Sequence, residues 1–287
     1  MRKNVETFIA CDASYEQAPV VLFGAPFDST TSYRPGARFG SAAIRHESYG
    51  LETYSPYLDR DLEDLKVFDS GDLELPMGSA EKALDAISLR TAEILDAGKL
   101  PVLLGGEHLV TLGAFREVLK RYPEVHIVHF DAHADLRDSY LDVALSHACV
   151  LRRCHDLVGD GKIHQFGIRS GERAEWDFAR SGHTFIHPFS LEEVPQALDK
   201  EIPSGAPVYF TLDLDVLDPS VLPGTGTPEA GGVSFEALRS ALTFVLSHLD
   251  VVAVDINELA PTLDPSGVST AVACKVVRET LLALNRK

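Results

Sequence analysis

The residues best suited to chemistry lie in two short aspartate-rich stretches. The first is Asp131-Ala132-His133-Ala134-Asp135, which follows the apolar-leaning run Val125-His126-Ile127-Val128-His129-Phe130. That run reads as a buried strand. Side chains alternate across a strand, so Asp131, His133 and Asp135 are expected on one side of an extended chain. Two carboxylates and an imidazole then meet at a strand's C-terminal end, the edge where open α/β sheets bind ligands. A buried carboxylate cluster is costly unless a cation neutralises it. A polar loop capping a helix would explain one such stretch, but the pattern repeats. Asp213-Leu214-Asp215 follows a second strand-like run, Val208-Tyr209-Phe210, and again offers two carboxylates. A third strand-like run, Pro101-Val102-Leu103-Leu104, ends in Gly105-Gly106 and delivers Glu107-His108 to the same edge.

His108, Asp131, His133, Asp135, Asp213 and Asp215 together supply four carboxylates and two imidazoles. That is too many donors for one tetrahedral zinc ion. An oxygen-rich set suits Mn²⁺, and it suffices for two ions if carboxylates bridge. Two ions about 3.5–4 Å apart can share and acidify a water, which implies metal-assisted hydrolysis.

Such a cluster needs a scaffold that brings several strand ends together. Strand-like and helix-like runs alternate along the whole chain. Strands are expected at 19–24, 66–69 (a sheet edge), 101–106, 125–130, 162–168, 184–186, around 208–213 and at 251–256. Helices are expected at 41–49, 79–97, 110–121, 147–157, 172–180, 234–247 and 266–284. In the second helix Ala83, Ile87, Ile94 and Leu95 form the apolar stripe, and Gly98 ends it. Strands separated by helices imply right-handed crossovers. The expected fold is therefore α/β, three-layered, with a mostly parallel sheet covered by helices on both faces. No linker, low-complexity tract or internal repeat interrupts residues 1–287, so one domain is expected.

Composition narrows the function classes. The net charge of −17 argues against nucleic acid or an anionic membrane as partner and suits a cationic small molecule. No apolar run approaches the roughly 18 residues of a membrane span, and residues 1–6 lead into no signal-peptide core. Cys11, Cys149, Cys154 and Cys274 show no CxxC spacing and no disulfide framework, so a reducing cytoplasm is expected. The Gly-rich stretch 224–228 lacks a third glycine, and Pro228 interrupts any helix start, so it is no nucleotide fingerprint.

The motifs, in order, resemble those of the ureohydrolases, the arginase and agmatinase family, with most similarity to agmatinases. They are Gly105-Gly106-Glu107-His108, Asp131-Ala132-His133-Ala134-Asp135-Leu136-Arg137, Ser146-His147, Asp213-Leu214-Asp215-Val216-Leu217-Asp218-Pro219 and Asp255-Ile256-Asn257-Glu258. Pro35-Gly36-Ala37-Arg38-Phe39-Gly40 also fits, and the resemblance runs from about Pro19 to the C-terminus. It implies two Mn²⁺ ions. His108, Asp131, Asp135 and Asp213 would hold one and Asp131, His133, Asp213 and Asp215 the other, with Asp131 and Asp213 bridging. It makes Glu258 the partner of a guanidinium, since a carboxylate matches a planar bidentate cation. It makes His147 the proton donor to the leaving amine, a task that suits an imidazole. It also implies a homo-oligomer, a trimer or hexamer.

Substrate choice rests on the residues after the first aspartate motif. Arginases carry an Asn and several Ser or Thr there to grip an amino-acid head group. Here Leu136-Arg137-Asp138-Ser139-Tyr140-Leu141 has Arg137 in place of the Asn and lacks the Ser/Thr cluster. Glu172 is placed to meet a distal amine, or else serves only the first turn of a helix. Agmatine, giving putrescine and urea, is the substrate expected. Guanidinobutyrate is the alternative, with Arg137 receiving its carboxylate; guanidinopropionate, guanidine and arginine complete the set. A one-zinc deacetylase of related fold would not need the second aspartate pair, and a non-catalytic relative would be expected to have lost ligands. Glu107 is set aside as supporting or exposed. His126 and His129 read as core or supporting residues, and His46, His155, His164, His183, His187 and His248 carry no functional assignment.

Overall fold

The computed structural model describes residues 6–284. Its strands are β1 (Val20–Gly24), β2 (Tyr54–Ser55), β3 (Arg60–Asp61), β4 (Val67–Asp72), β5 (Leu100–Leu104), β6 (His126–Phe130), β7 (Ile163–Ile168), β8 (Phe185–Pro188), β9 (Pro207–Asp213) and β10 (Asp250–Asn257). Its α-helices are α1 (Gly40–Ser48), α2 (Ala80–Asp96), α3 (Val110–Arg121), α4 (Val150–Val158), α5 (Arg173–Arg180), α6 (Val194–Glu201), α7 (Phe235–His248) and α8 (Val268–Ala283). Eight strands form one sheet in the order β4-β1-β5-β10-β9-β6-β7-β8, with every pairing parallel. β2 and β3 form a separate antiparallel ribbon.

Strand alternation divides the apolar residues between two cores. Leu22, Val102, Phe130, Phe210 and Val254 enter one, while their neighbours Phe23, Leu103, Tyr209 and Ala253 enter the other. The first core is covered by α1, α6, α7 and α8, the second by α2, α3 and α4. These are the three layers expected from the sequence. Helix starts follow their caps. Ser79 Oγ accepts from Lys82 N at 3.3 Å to open α2, and Ser234 Oγ accepts from Ala237 N at 3.2 Å to open α7. All four residues of the expected α2 stripe are buried.

Three local features depart from the expected pattern. α6 is an additional helix; Pro195 sits in its first turn, where no intrahelical N–H is needed, and Val194, Ala197 and Leu198 bury its inner face. The segment after Ser146 begins as a 3₁₀ turn, His147–Cys149, before α4. The chain also does not stay extended through the first aspartate motif. β6 ends at Phe130, and Asp135 lies in the left-handed region at φ 53°. Among the described residues, no helix is long and apolar enough to cross a membrane.

The strand order sets which loops meet. β5, β10, β9 and β6 are consecutive neighbours at the centre of the sheet, flanked by β1 and β7. Side chains just past their C-terminal ends are therefore carried side by side.

Candidate active site

Each of the four central strands delivers part of one cluster. The turn after β5 carries His108. Its close path over Phe27 requires Gly106, because a Cβ there would collide with the Phe27 backbone, to which Glu107 N donates at 2.7 Å. β6 leads to Asp131, β9 ends on Asp213 and the 3₁₀ turn after it carries Asp215. β10 leads to Glu258, held at φ 67° with its N–H donating to Gly106 O at 2.9 Å. A non-glycine residue in that conformation costs roughly 1–3 kcal/mol and persists only where its surroundings impose it.

The two histidines mark two centres. His108 Nδ1 lies 3.0 Å from Asp131 Oδ2, 3.2 Å from Asp135 Oδ2 and 3.4 Å from Asp213 Oδ2. His133 Nδ1 lies 3.0 Å from Asp215 Oδ2 and 3.5 Å from Asp131 Oδ1. Asp131 thus faces both through different oxygens. The left-handed turn at Asp135 brings its carboxylate back toward His108, which extended geometry would not do.

The tautomer of His108 follows from its supports. Thr211 Oγ1 donates its single proton to Asp255 Oδ1 at 2.6 Å, so it accepts from His108 Nε2 at 2.8 Å. Nδ1 of the neutral ring then carries a lone pair, is buried, and has no hydrogen-bond partner. A lone pair facing three carboxylates needs a positive charge between them. Burial disfavours a charged ring, but Asp131, Asp135 and Asp213 outweigh burial and hold the His108 pKa well above its usual value. Burial, then the Asp215 and Asp131 charges, drive Asp213 well above the carboxylate range. Burial also opposes ionisation of Asp131, yet His129, His108 and His133 outweigh it and hold Asp131 well below that range. A divalent pair would replace these proton-sharing arrangements, and the N- and O-donor set fits it.

His129 has a different part. Gln165 Nε2 donates to Ala134 O at 2.7 Å and to His129 Nδ1 at 3.1 Å, while Thr184 Oγ1 donates to Gln165 Oε1 at 3.1 Å. His129 Nδ1 is therefore an acceptor, and Nε2 donates to Asp131 Oδ2 at 2.8 Å. This ring orients a candidate ligand rather than binding an ion. Arg169 supports the other side, donating to Asp215 O at 2.8 Å and Val216 O at 3.2 Å.

Above the cluster lies a cavity of about 300 Å³ whose lining includes His133, Asp135, Arg137, Tyr140, His147 and Glu172. Glu258 Oε1 accepts from His108 N at 2.7 Å, and its Oε2 lies beside Gly226, where a Cβ would stand 3.7 Å from it. His147 Nδ1 is 3.6 Å from Glu258 Oε1. Burial works against a charged His147, but Glu258 first and Asp135 next push its pKa up to about 9. The Ser32 backbone N–H, donating to His147 Nε2 at 3.1 Å, opposes protonation because it needs a lone pair there. The Ser32 hydroxyl, 2.9 Å from the same nitrogen, can accept from it, and the net effect of the acidic neighbours is a ring that is readily protonated, with Nδ1 facing Glu258.

Glu107, which the sequence left as supporting or exposed, is fully buried. Its carboxylate accepts from Thr30 N at 2.8 Å, from the Thr30 hydroxyl and from Thr31 Oγ1 at 3.1 Å, anchoring the loop after β1 that carries Ser32. Burial, and the nearby Glu258 charge, raise its pKa to about 7. Arg137 and Glu172 are brought together at the cavity mouth as an ion pair, with Arg137 also 4.9 Å from the Tyr140 ring centre. Arg137 Nε lies 3.8 Å from Glu175, which sequence reasoning did not single out. Glu175 is buried and ties the first aspartate loop to α5, accepting from Leu136 N at 2.8 Å and Glu172 N at 2.6 Å.

Known proteins share this arrangement of sequence and fold. A model of the arginase family matches residues 18–283. The agmatinase of Bacillus anthracis is 48% identical over 279 residues, covering 96% of each chain. That of Bacillus subtilis (strain 168) is 45% identical over 279 residues with the same coverage. The crystal structure of agmatine ureohydrolase of Thermoplasma volcanium superposes with a TM-score of 0.90 at 31% identity, covering 98% of this chain and 95% of that one. Family model, full-length relatives and fold all point one way: the chain is a member of the arginase family.

Proposed function

We propose that this protein is a ureohydrolase that cleaves agmatine with water to putrescine and urea, using two Mn²⁺ ions. The observation that carries the reading is the buried, unpartnered Nδ1 of His108 facing Asp131, Asp135 and Asp213. A second imidazole, His133, faces Asp131 and Asp215 beside it. Agmatinases at 45–48% identity over almost the whole chain support the substrate.

On this reading His108, Asp131, Asp135 and Asp213 hold one ion and Asp131, His133, Asp213 and Asp215 the other. When bound, the pair supplies a water acidified enough to attack a guanidinium carbon near neutral pH. Glu258 binds the guanidinium through Oε2, since Oε1 is engaged by His108 N. His147 delivers the proton from Nδ1 to the departing amine as the C–N bond breaks. The donor is the imidazolium, favoured by the Glu258 and Asp135 charges, and the transfer leaves a neutral imidazole whose Nε2 lies beside the Ser32 N–H and hydroxyl.

The tail leads toward the mouth. Arg137 is already neutralised by Glu172, while Glu175, 3.8 Å from Arg137 Nε, adds negative charge to the lining. This balance favours a cationic tail and disfavours a carboxylate. Four free, buried cysteines agree with a reducing cytoplasm, and a homo-oligomer, a trimer or hexamer, belongs to the same reading. The test is urea release by Mn²⁺-loaded protein from agmatine, arginine and guanidinobutyrate side by side. Agmatine should exceed arginine by at least about 100-fold in kcat/KM, because an unmatched buried carboxylate costs a few kcal/mol. Equal rates on arginine would overturn the substrate assignment.

A further inference from the structure

A second set of metal-type donors lies outside the active site, beside β7 and β8. His155 sits in the last turn of α4, Asp160 in the turn leading to β7, and His183 just before β8. His155 Nε2 is 2.8 Å and His183 Nδ1 2.7 Å from the same oxygen, Asp160 Oδ1. The three donor atoms lie within 4.8 Å of one another. We propose that His155, Asp160 and His183 form a surface site for a divalent cation of the zinc type that fastens α4 to the segment entering β8.

Two imidazoles and a carboxylate are a borderline N₂O donor set, which suits Zn²⁺ better than Mg²⁺ or Ca²⁺. The rings are already placed. His183 stacks on Phe178 at 4.3 Å and 24°, and His155 meets the same ring edge-on at 4.8 Å and 84°. The two segments are joined by Gly161 N donating to His183 O at 3.2 Å. His155 Nδ1 is buried without a hydrogen-bond partner, so among polar contacts only the Nε2 side orients this ring. With neutral imidazoles the set carries one negative charge, and the chain's net −17 favours cations generally. Zn²⁺ takes these atoms at about 2.0–2.2 Å, so tetrahedral corners stand roughly 3.3 Å apart. The rings need only draw back about half an ångström from Asp160 Oδ1. Asp160 is 64% and His183 36% exposed in their side chains, which leaves the fourth corner to water.

Zn²⁺ binding by the whole protein is measured by equilibrium dialysis at fixed micromolar free Zn²⁺, for wild type, His183→Ala, His155→Phe and Asp160→Asn. His155→Phe keeps the aromatic packing and guards against loss of fold. Each variant should bind one Zn²⁺ fewer per chain than wild type. Affinity at that position should fall by more than the roughly 10–100-fold typical of losing an outer-sphere partner. The rise in Tm on adding Zn²⁺ should shrink in each variant. Equal stoichiometry in wild type and all three variants would overturn the proposal and leave a hydrogen-bonded cluster only. The comparison is a difference between chains with the same catalytic cluster, so it stands whether that cluster binds two ions or one.

Discussion

Replacing Thr211 by valine keeps the shape of the side chain and deletes its hydroxyl. The hydroxyl accepts from His108 Nε2 at 2.8 Å and donates to Asp255 Oδ1 at 2.6 Å. All three residues are fully buried, so water cannot replace the lost partner. His108 Nε2 is left unpaired, at a cost of roughly 1–3 kcal/mol. Asp255 is less exposed to the loss, because Asn257 Nδ2 and the Tyr209 hydroxyl still donate to it. The larger effect should fall on metal affinity. An imidazole that shares its Nε2 proton is a better Nδ1 donor and is fixed in orientation, and outer partners of this kind are worth about 10–100-fold in affinity. That range corresponds to roughly 1.4–2.8 kcal/mol. Mn²⁺ titration of metal-stripped Thr211→Val should therefore give a Kd raised about 10–100-fold, with urea release recovering as Mn²⁺ is increased. Thr211→Ser, which retains the hydroxyl, should stay near wild type. An unchanged Kd in a folded Thr211→Val protein would refute the tautomer argument.

The same geometry sets three further outcomes. Asp213→Asn should lose more activity and more metal than Asp135→Asn, because Asp213 is assigned to both ions and Asp135 to one; metal analysis alongside urea release checks this, and near-normal Asp213→Asn turnover would remove the bridging assignment. His147→Asn should lower kcat by about 10²–10⁴-fold with metal content unchanged, whereas Glu258→Gln should lower kcat/KM with every guanidino substrate. A matched loss of metal in His147→Asn would show a structural role instead. At the opposite end of the sheet, burial, then the charges of His164 and Lys162, push His126 down to about 4. The unfolded chain then binds more protons than the folded one between about pH 6.5 and 4, so stability is full above that window and lost as pH falls through it. Denaturant unfolding at pH 7 and pH 5 should show a smaller drop for His126→Gln than for wild type.

The candidate ligands were legible because strand periodicity and acid–imidazole spacing speak about the same few residues. The architecture was legible because apolar runs alternate with helical ones. What could not be read is the support around the ligands. Thr211, Asp255, Gln165, Arg169 and Glu175 act on partners far away in sequence, and Thr211 or Gln165 in a strand looks like any tolerated polar residue. Glu107 differs, since it stands inside the motif that delivers His108; only the fold shows it buried against Thr30 and Thr31 rather than exposed. Asp135 does come within 3.2 Å of His108, but by a different backbone path from the one expected. An extended strand predicts its direction from period two, whereas its left-handed turn depends on tertiary bonds such as Arg152 N to Asp135 O at 3.1 Å. α6 was missed because eight residues with an early proline give little periodic signal.

The adjacency of β5, β10, β9 and β6 has a consequence for how this enzyme could be redesigned. The groups assigned to the ions and to the guanidinium lie within a few residues of the strand ends, while those facing the tail, such as Arg137, Tyr140 and Glu172, ride further out on the connections after β6 and β7. Connections of this kind tolerate changes of length and composition that strands do not. Grafting a different stretch beyond Leu136, or a different connection after β7, should therefore exchange one amine tail for another without retuning the hydrolytic end. Head-group chemistry and tail preference are separable modules of a single fold.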